Sequence, residues 1–250
     1  MHSKAPRQPA CHWRPRARGA WLALCFWLTG TFSAVAADAI VSARFTHATT
    51  RYAHGVLGDK VEYGALELTL RNRVLVLQLP SDRVFEDLAP RLVDVDLDGK
   101  LEAIVVETHI AAGAQLAIYD ASGTKIAATP HIGTRFRWLA PVGAADLDGD
   151  GYVEIAYVDR PHLAKTLRIW RFTRGKFTEI ADLPGLTNHK IGEDFISGGL
   201  RDCGNGPELI VANADWSEIV SVSYDQEWQR HRLGPFSQAN LDRAMACQTL

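Results

Sequence analysis

Short apolar segments alternate with polar turns along most of the chain, and this pattern predicts β-strands. Residues 103–106, 115–119 and 155–158 are typical segments, bounded by turns that contain Gly and Asp. Several short strands with turn signals at regular spacing are typical of all-β folds. Residues 237–248 instead have the character of a short helix, with Ser237 as a candidate N-cap.

The strand segments recur as a repeat. The Asp-Gly step at Asp98 returns at Asp150, 52 residues later, and the apolar segments around it return with it. The two clear copies are residues 88–130 and 138–181. Each copy holds four short strands, which is the content of one β-propeller blade.

Fainter copies at residues 50–87 and 190–233 extend the repeat over most of the chain. The sequence therefore predicts an all-β protein, a β-propeller of four-stranded blades that ends in the short C-terminal helix. Residues 38–250 would form this single domain, with four blades or five smaller ones. Residues 52–59 are expected to be the first strand of the first blade. Residues 40–45 are expected to pair into the last blade and close the ring, since soluble proteins avoid unpaired sheet edges.

Two acidic loops carry the clearest chemistry. In each, Asp alternates with another residue up to a Gly, and Glu follows at the ninth position. Alternation directs the carboxylates into one concavity, the Gly permits a sharp turn, and Ca²⁺ favours six to eight such oxygen ligands. The predicted calcium ligands of the first loop are Asp94, Asp96, Asp98 and Glu102, with Lys100 offering its backbone carbonyl, and those of the second loop are Asp146, Asp148, Asp150 and Glu154.

An EF-hand is the obvious alternative for such loops. It needs an acid at the twelfth position, where this chain has Val105 and Tyr157, and flanking helices, where the pattern is β-rich. The EF-hand is therefore excluded. A solvated acidic turn without metal remains an alternative, although clustered carboxylates without a cation repel one another.

The acidic loops and their flanking strands resemble the FG-GAP/VCBS repeats found in the N-terminal propeller of integrin α chains and in many exported bacterial proteins. The resemblance is close over residues 88–181 and looser over 50–87 and 190–233. It implies a propeller in which calcium, held at the positions named above, stiffens one face of the blades. The third loop departs from the family pattern, because Cys203 and Gly204 stand among its acids.

In such a blade the loops opposite the calcium loops form a second face, where a ligand site is expected. These loops are rich in Arg, His, carboxylates and Trp, which suits a polar ligand such as a sugar or a peptide. Ion pairs that hold blades together are the structural alternative. The candidate ligand-binding residues are Arg51, His54, Glu86, Asp87, Arg137, Trp138, Asp159, Arg160, His162, His189, Glu193, Asp194, Asp215 and Trp216.

The first 37 residues differ from the rest of the chain. They contain five basic and no acidic residues, then the apolar segment 20–28 and small residues that end at Ala36. This order predicts a secretory signal peptide over residues 1–37 and a periplasmic or secreted protein, with an amphipathic N-terminal anchor as the alternative. No later segment has 18 consecutive apolar residues, so no transmembrane segment is expected in the mature chain.

Removal of this leader leaves 22 basic and 29 acidic residues, a net charge of −7. Nucleic acid is excluded as a partner, because binding to phosphates needs clustered Lys and Arg. Two cysteines remain, Cys203 and Cys247. In an oxidising compartment they are either disulfide-bonded or two separate buried thiols.

The chain contains no Gly-x-Ser-x-Gly, His-Glu-x-x-His, phosphate-loop or dinucleotide motif. We therefore expect an exported, calcium-binding β-propeller that acts as a ligand- or protein-binding module with structural calcium. Its partner would be a polar small molecule, a glycan or another exported protein. The alternative is a polysaccharide-active hydrolase or lyase that uses carboxylates on the face opposite the calcium loops.

Overall fold

The computed structural model describes residues 38–250, which form three antiparallel sheets and one short helix. The expected signal peptide lies outside the described residues. The first sheet contains β1 (Ile40–Thr49), β2 (Glu62–Leu70), β3 (Val74–Gln78), β4 (Arg83–Phe85), β5 (Arg91–Val93), β6 (Glu102–His109), β7 (Gly113–Tyr119) and β8 (Lys125–Ala128). The second contains β9 (Leu139–Ala145), β10 (Val153–Asp159), β11 (Thr166–Thr173) and β12 (Lys176–Pro184). The third contains β13 (Leu186–Thr187), β14 (Gly199–Asp202), β15 (Pro207–Asn213), β16 (Glu218–Asp225) and β17 (Glu227–Pro235), and α1 (Gln238–Met245) follows.

The strand order shows how the sequence repeats are built. The first sheet has the order β1-β2-β4-β6-β7-β8, with β3 on β2 and β5 on β6. The second has the order β12-β11-β10-β9, and the third β13-β15-β16-β17 with β14 on β15. The two clear sequence copies are therefore the four-stranded units β5–β8 and β9–β12, and the copy at 190–233 is β14–β17.

The second sheet lies between the other two, and the side chains of its inner strand β10 contribute to the cores on both faces. On β10, Ile155 and Tyr157 join a core with residues of β6 and β7, whereas Ala156 and Val158 join a core with residues of β15 and β16. Alternate side chains of a strand point to opposite faces, so a strand covered on both faces is apolar throughout. This arrangement explains the short continuous apolar segments of the sequence.

Two sequence-based expectations about the ends of the domain are wrong. Residues 52–59 form a loop, because Gly55 and Gly58 have φ values of +70° and +93°, in the left-handed region that favours glycine. Residues 40–45 belong to β1, which pairs with β2 and not with the last sheet. Among the described strands no pairing joins the third sheet to the first, and α1 covers the outer face of the third sheet.

The C-terminal helix is confirmed, with Ser237 as its N-cap. The Ser237 Oγ accepts a 3.1 Å hydrogen bond from the backbone N of Asn240. A disulfide bond joins Cys203 to Cys247, with a Cα–Cα distance of 5.6 Å, and fixes the end of the helix to the third sheet. No helix within residues 38–250 has the length and apolar character needed to cross a bilayer.

Candidate metal centres and an opposite cleft

The first acidic loop connects β5 to β6 and is organised by its own carboxylates. Ligand oxygens of Asp94, Asp96 and Glu102 all lie within 4.8 Å of one another. Asp94 accepts hydrogen bonds from the backbone N of Asp98, at 3.0 Å, and of Gly99, at 2.8 Å. The loop backbone thus wraps around Asp94 and brings three carboxylates to one point.

Glu102 is the buried member of this group, and its side chain accepts a 3.0 Å hydrogen bond from the backbone N of Val95. Burial, together with repulsion from the three neighbouring aspartates, raises the pKa of Glu102 to about 7. A cation placed among these oxygens would offset both costs. The all-oxygen donor set fits the preference of Ca²⁺.

The second acidic loop connects β9 to β10 and repeats this geometry. Ligand oxygens of Asp146, Asp148 and Glu154 lie within 4.8 Å of one another. Asp146 accepts from the backbone N of Gly149, at 2.8 Å, and of Gly151, at 3.0 Å. Each loop therefore presents three close carboxylates that could hold a metal ion.

One basic side chain distinguishes the second loop, and sequence reasoning missed it. The Arg171 Nε donates to Glu154 at 2.8 Å, one terminal nitrogen lies 2.9 Å from Asp150, and the other contacts Asp148. Arg171 pairs directly with Glu154 across β10 and β11. The signal in the sequence was its place in the repeat, one residue after Trp170.

Asp98, Asp150 and Lys100 lie outside the close carboxylate groups. The exposed Asp98 accepts from the Lys100 backbone N at 2.9 Å and from its Nζ at 2.5 Å. These hydrogen bonds lower the pKa of Asp98. The expected ligand role of the Lys100 carbonyl stays a prediction.

A small cleft lies at the other end of the strands. The seven residues of β10 separate it from the second acidic loop by about 20 Å. Its volume is about 40 Å³, and its lining includes five of the candidate ligand-binding residues. The lining residues are His54, Val56, Phe136, Arg137, Trp138, Arg160, Pro161, His162 and Leu163.

Glu86 lies behind the cleft and holds its wall in place. Its carboxylate is fully buried, accepts a 2.6 Å hydrogen bond from Thr108 Oγ1 and contacts the Nδ1 of His54. The Trp138 Nε1 donates a 2.8 Å hydrogen bond to the Glu86 carbonyl. Burial raises the pKa of Glu86, opposed by the His54 contact. Glu86 therefore positions His54 and does not face the cleft.

Two histidines continue this wall toward the third sheet. His162 Nε2 and His189 Nδ1 are 2.9 Å apart, and His189 Nε2 lies 2.9 Å from the Glu193 carbonyl. Burial, with repulsion from His189 and His54, lowers the pKa of His162 to about 4. His162 is therefore neutral at neutral pH and offers its ring as a polar, uncharged surface.

Comparison with known families identifies one segment of the chain. Residues 94–157 match an FG-GAP-like repeat. The match begins at the first residue of the first acidic loop and ends just beyond the second loop, so both candidate metal centres lie inside it. No curated protein matches the chain.

The other candidate ligand-binding residues do not line the cleft. Upstream of the FG-GAP-like repeat, Arg51 donates to the Arg83 carbonyl at 2.9 Å, and Asp87 is buried. At the end of β10, Asp159 accepts hydrogen bonds from the Nε of Arg160, at 2.8 Å, and from the Nε of Arg168, at 3.0 Å. Those outside the cleft lining are Arg51, Glu86, Asp87, Asp159, His189, Glu193, Asp194, Asp215 and Trp216.

Proposed function

We propose that the protein is an exported, calcium-binding module of the β-propeller type that binds a polar ligand or a protein partner. The observation that carries this proposal is the pair of oxygen-only carboxylate groups inside an FG-GAP-like repeat. In this proposal the units β5–β8, β9–β12 and β14–β17 are blades, and β1–β4 supply a fourth.

The calcium would have a structural role. Each acidic loop joins the first strand of a unit to the second, and a bound ion would hold this connection rigid. Extracellular modules fill such sites with dissociation constants of about 10⁻⁴–10⁻³ M, which suits a calcium-rich compartment. The disulfide bond between Cys203 and Cys247 is typical of an oxidising compartment and supports export.

The opposite cleft is the proposed ligand site. Arg137 and Arg160 line a cleft whose other walls are histidine, aromatic and aliphatic residues, and because the Arg160 guanidinium is paired with Asp159, Arg137 is the proposed anion-binding group. A volume of about 40 Å³ accepts a small group, such as a carboxylate on a glycan or peptide, and is too small for a sugar ring. Among the described residues no carboxylate lines the cleft, which favours binding over the carboxylate pair that a glycosidase needs.

Thermal melting of the mature protein with and without EDTA tests the calcium proposal. Protein that holds calcium by elemental analysis should lose several degrees of Tm on chelation, because a ligand of the native state stabilises it by mass action. Asp96→Asn preserves the size of this exposed side chain but removes one charged ligand, so it should reduce the change in Tm on chelation. Asp225→Asn, an exposed change in the β16–β17 turn, should leave it intact. A calcium-loaded protein whose Tm ignores EDTA would overturn the structural role.

A further inference from the structure

Three successive loops each close with a glutamate, and these glutamates differ in whether an arginine pairs with them. They are Glu102, Glu154 and Glu208. Each begins or nearly begins the second strand of its unit. Glu154 receives the guanidinium of Arg171 from β11. Glu208 receives that of Arg201 from β14, with Nε and a terminal nitrogen at 2.9 and 2.7 Å from one carboxylate oxygen.

Glu102 has no such neighbour. Within residues 38–250, no basic side chain forms a hydrogen bond or an ion pair with it. The register that pairs Ala103 with Tyr119 brings Asp120 to the level of Glu102, where the second unit has Arg171 beside Glu154. Asp120 and Glu102 also line one cavity of about 300 Å³. At this register position the first unit therefore has an aspartate, whose Oδ1 accepts hydrogen bonds from the backbone N of Ser122 and Thr124 in its own turn, whereas the second unit has a guanidinium.

We propose that Arg171 takes the place of the metal ion in the second loop, so that calcium is required by the first loop alone. The inference rests on the proposed calcium function and refines it. The Arg171 guanidinium reaches Asp148, Asp150 and Glu154 together, and so bridges carboxylates that would otherwise need an external cation. In the third loop, where the carboxylate series is interrupted by Cys203 and Gly204, Arg201 pairs with Glu208 alone. Calcium can fill the second loop only when the guanidinium is withdrawn.

The test compares Arg171→Gln with Arg168→Gln. Arg168 is the matched control because it lies on the same strand, is similarly exposed (26% against 25%) and also pairs with carboxylates, but away from the acidic loop. In EDTA, Arg171→Gln should lower Tm by several degrees, and added calcium should restore most of the loss. Arg168→Gln should also lower Tm, and calcium should raise its Tm only by as much as it raises that of the wild type, so that its deficit remains.

Calcium titration calorimetry gives the second measurement. The wild-type protein should bind one calcium ion, and Arg171→Gln should bind two. Equal occupancy of two sites in the wild type, or a Tm of Arg171→Gln in EDTA equal to that of the wild type, overturns the inference. If Arg171→Gln is destabilised in EDTA but neither protein binds calcium, the arginine is an internal cation and the proposed calcium function fails.

Discussion

The indole of Trp138 donates a 2.8 Å hydrogen bond to the backbone carbonyl of Glu86, which stands 52 residues earlier in the chain. This separation is about one sequence repeat, so the bond links two successive units of the chain. The bond joins the first sheet to the second at the back of the cleft. This hydrogen bond therefore stabilises the contact between neighbouring units and also fixes Trp138, which lines the proposed ligand site.

Trp138→Phe should keep most of the packing and lose this hydrogen bond. We expect a loss of about 1–2 kcal/mol in the free energy of unfolding, since a buried carbonyl is left unpaired. For a domain of this size that is a fall in Tm of roughly 2–8 °C, measurable by calorimetry. Trp228→Phe is the control, because no indole hydrogen bond is present there within the described residues. Equal losses in the two variants would contradict the role given to the Trp138 bond.

Arg137→Ala should weaken binding at the cleft without unfolding the protein, because among residues 38–250 its guanidinium donates only to the Phe136 carbonyl. On an array of carboxylated and neutral glycans and peptides, the wild type should retain carboxylated probes. Arg137→Ala should lose at least tenfold in affinity for them. Arg174→Ala, at the hairpin turn on the calcium side, should bind like the wild type. Retention of neutral probes only would refute an anion-binding cleft.

Glu62 should make the protein less stable as the pH rises. Burial, with repulsion from Glu86, Asp59 and Asp87, raises its pKa to about 9 in the folded state, from an ordinary value of 4.5. Between these values the folded state binds a proton that the unfolded state lacks, so the stability contribution is complete below pH 4.5 and is lost toward pH 9.

Glu62→Gln should therefore flatten the fall in the free energy of unfolding between pH 6 and pH 8, by roughly 2–3 kcal/mol. Denaturant unfolding at each pH measures it. The matched control is Glu67→Gln on the same strand, where the Arg44 ion pair lowers the pKa. The explanation fails if Glu62→Gln and the wild type have parallel pH profiles.

Removal of the disulfide bond should destabilise the third sheet and the helix. Cys203 and Cys247 are 44 residues apart, and closing such a loop is worth about 4 kcal/mol in the chain-entropy model. The double variant Cys203→Ser and Cys247→Ser should melt several degrees below the wild type. Reduction of the wild type with dithiothreitol should give the same loss. An unchanged Tm in both cases would show that the crosslink does not limit unfolding.

The sequence predicts the repeated units well because each is a local pattern. The 52-residue recurrence from Asp98 to Asp150 places the acidic loops and their flanking strands correctly. The strand pairing of the N-terminal segment does not follow from a local pattern. The apolar segment 40–45 looks the same whether it pairs with the last sheet or with β2. Its pairing depends on tertiary structure, in which Ile40 lies opposite Leu70 and joins the same buried core as Leu68.

The site is predictable to a similar extent. Carboxylate spacing indicates which loops could hold calcium, since the ligands lie within nine residues of one another. Arg171 reaches its loop from the next strand, so its effect depends on the register across a hairpin. The cleft likewise gathers residues from three loops, and sequence alone does not show that Glu86 is buried behind it.

The most direct test of the account is a calcium titration of the metal-free protein, residues 38–250, and its Asp96→Asn and Asp148→Asn variants. We predict that the wild type takes up calcium, that Asp96→Asn loses most of this binding, and that Asp148→Asn keeps it because Arg171 already neutralises the second loop. A wild type that binds no calcium, or an Asp96→Asn variant that binds it as the wild type does, would contradict the account.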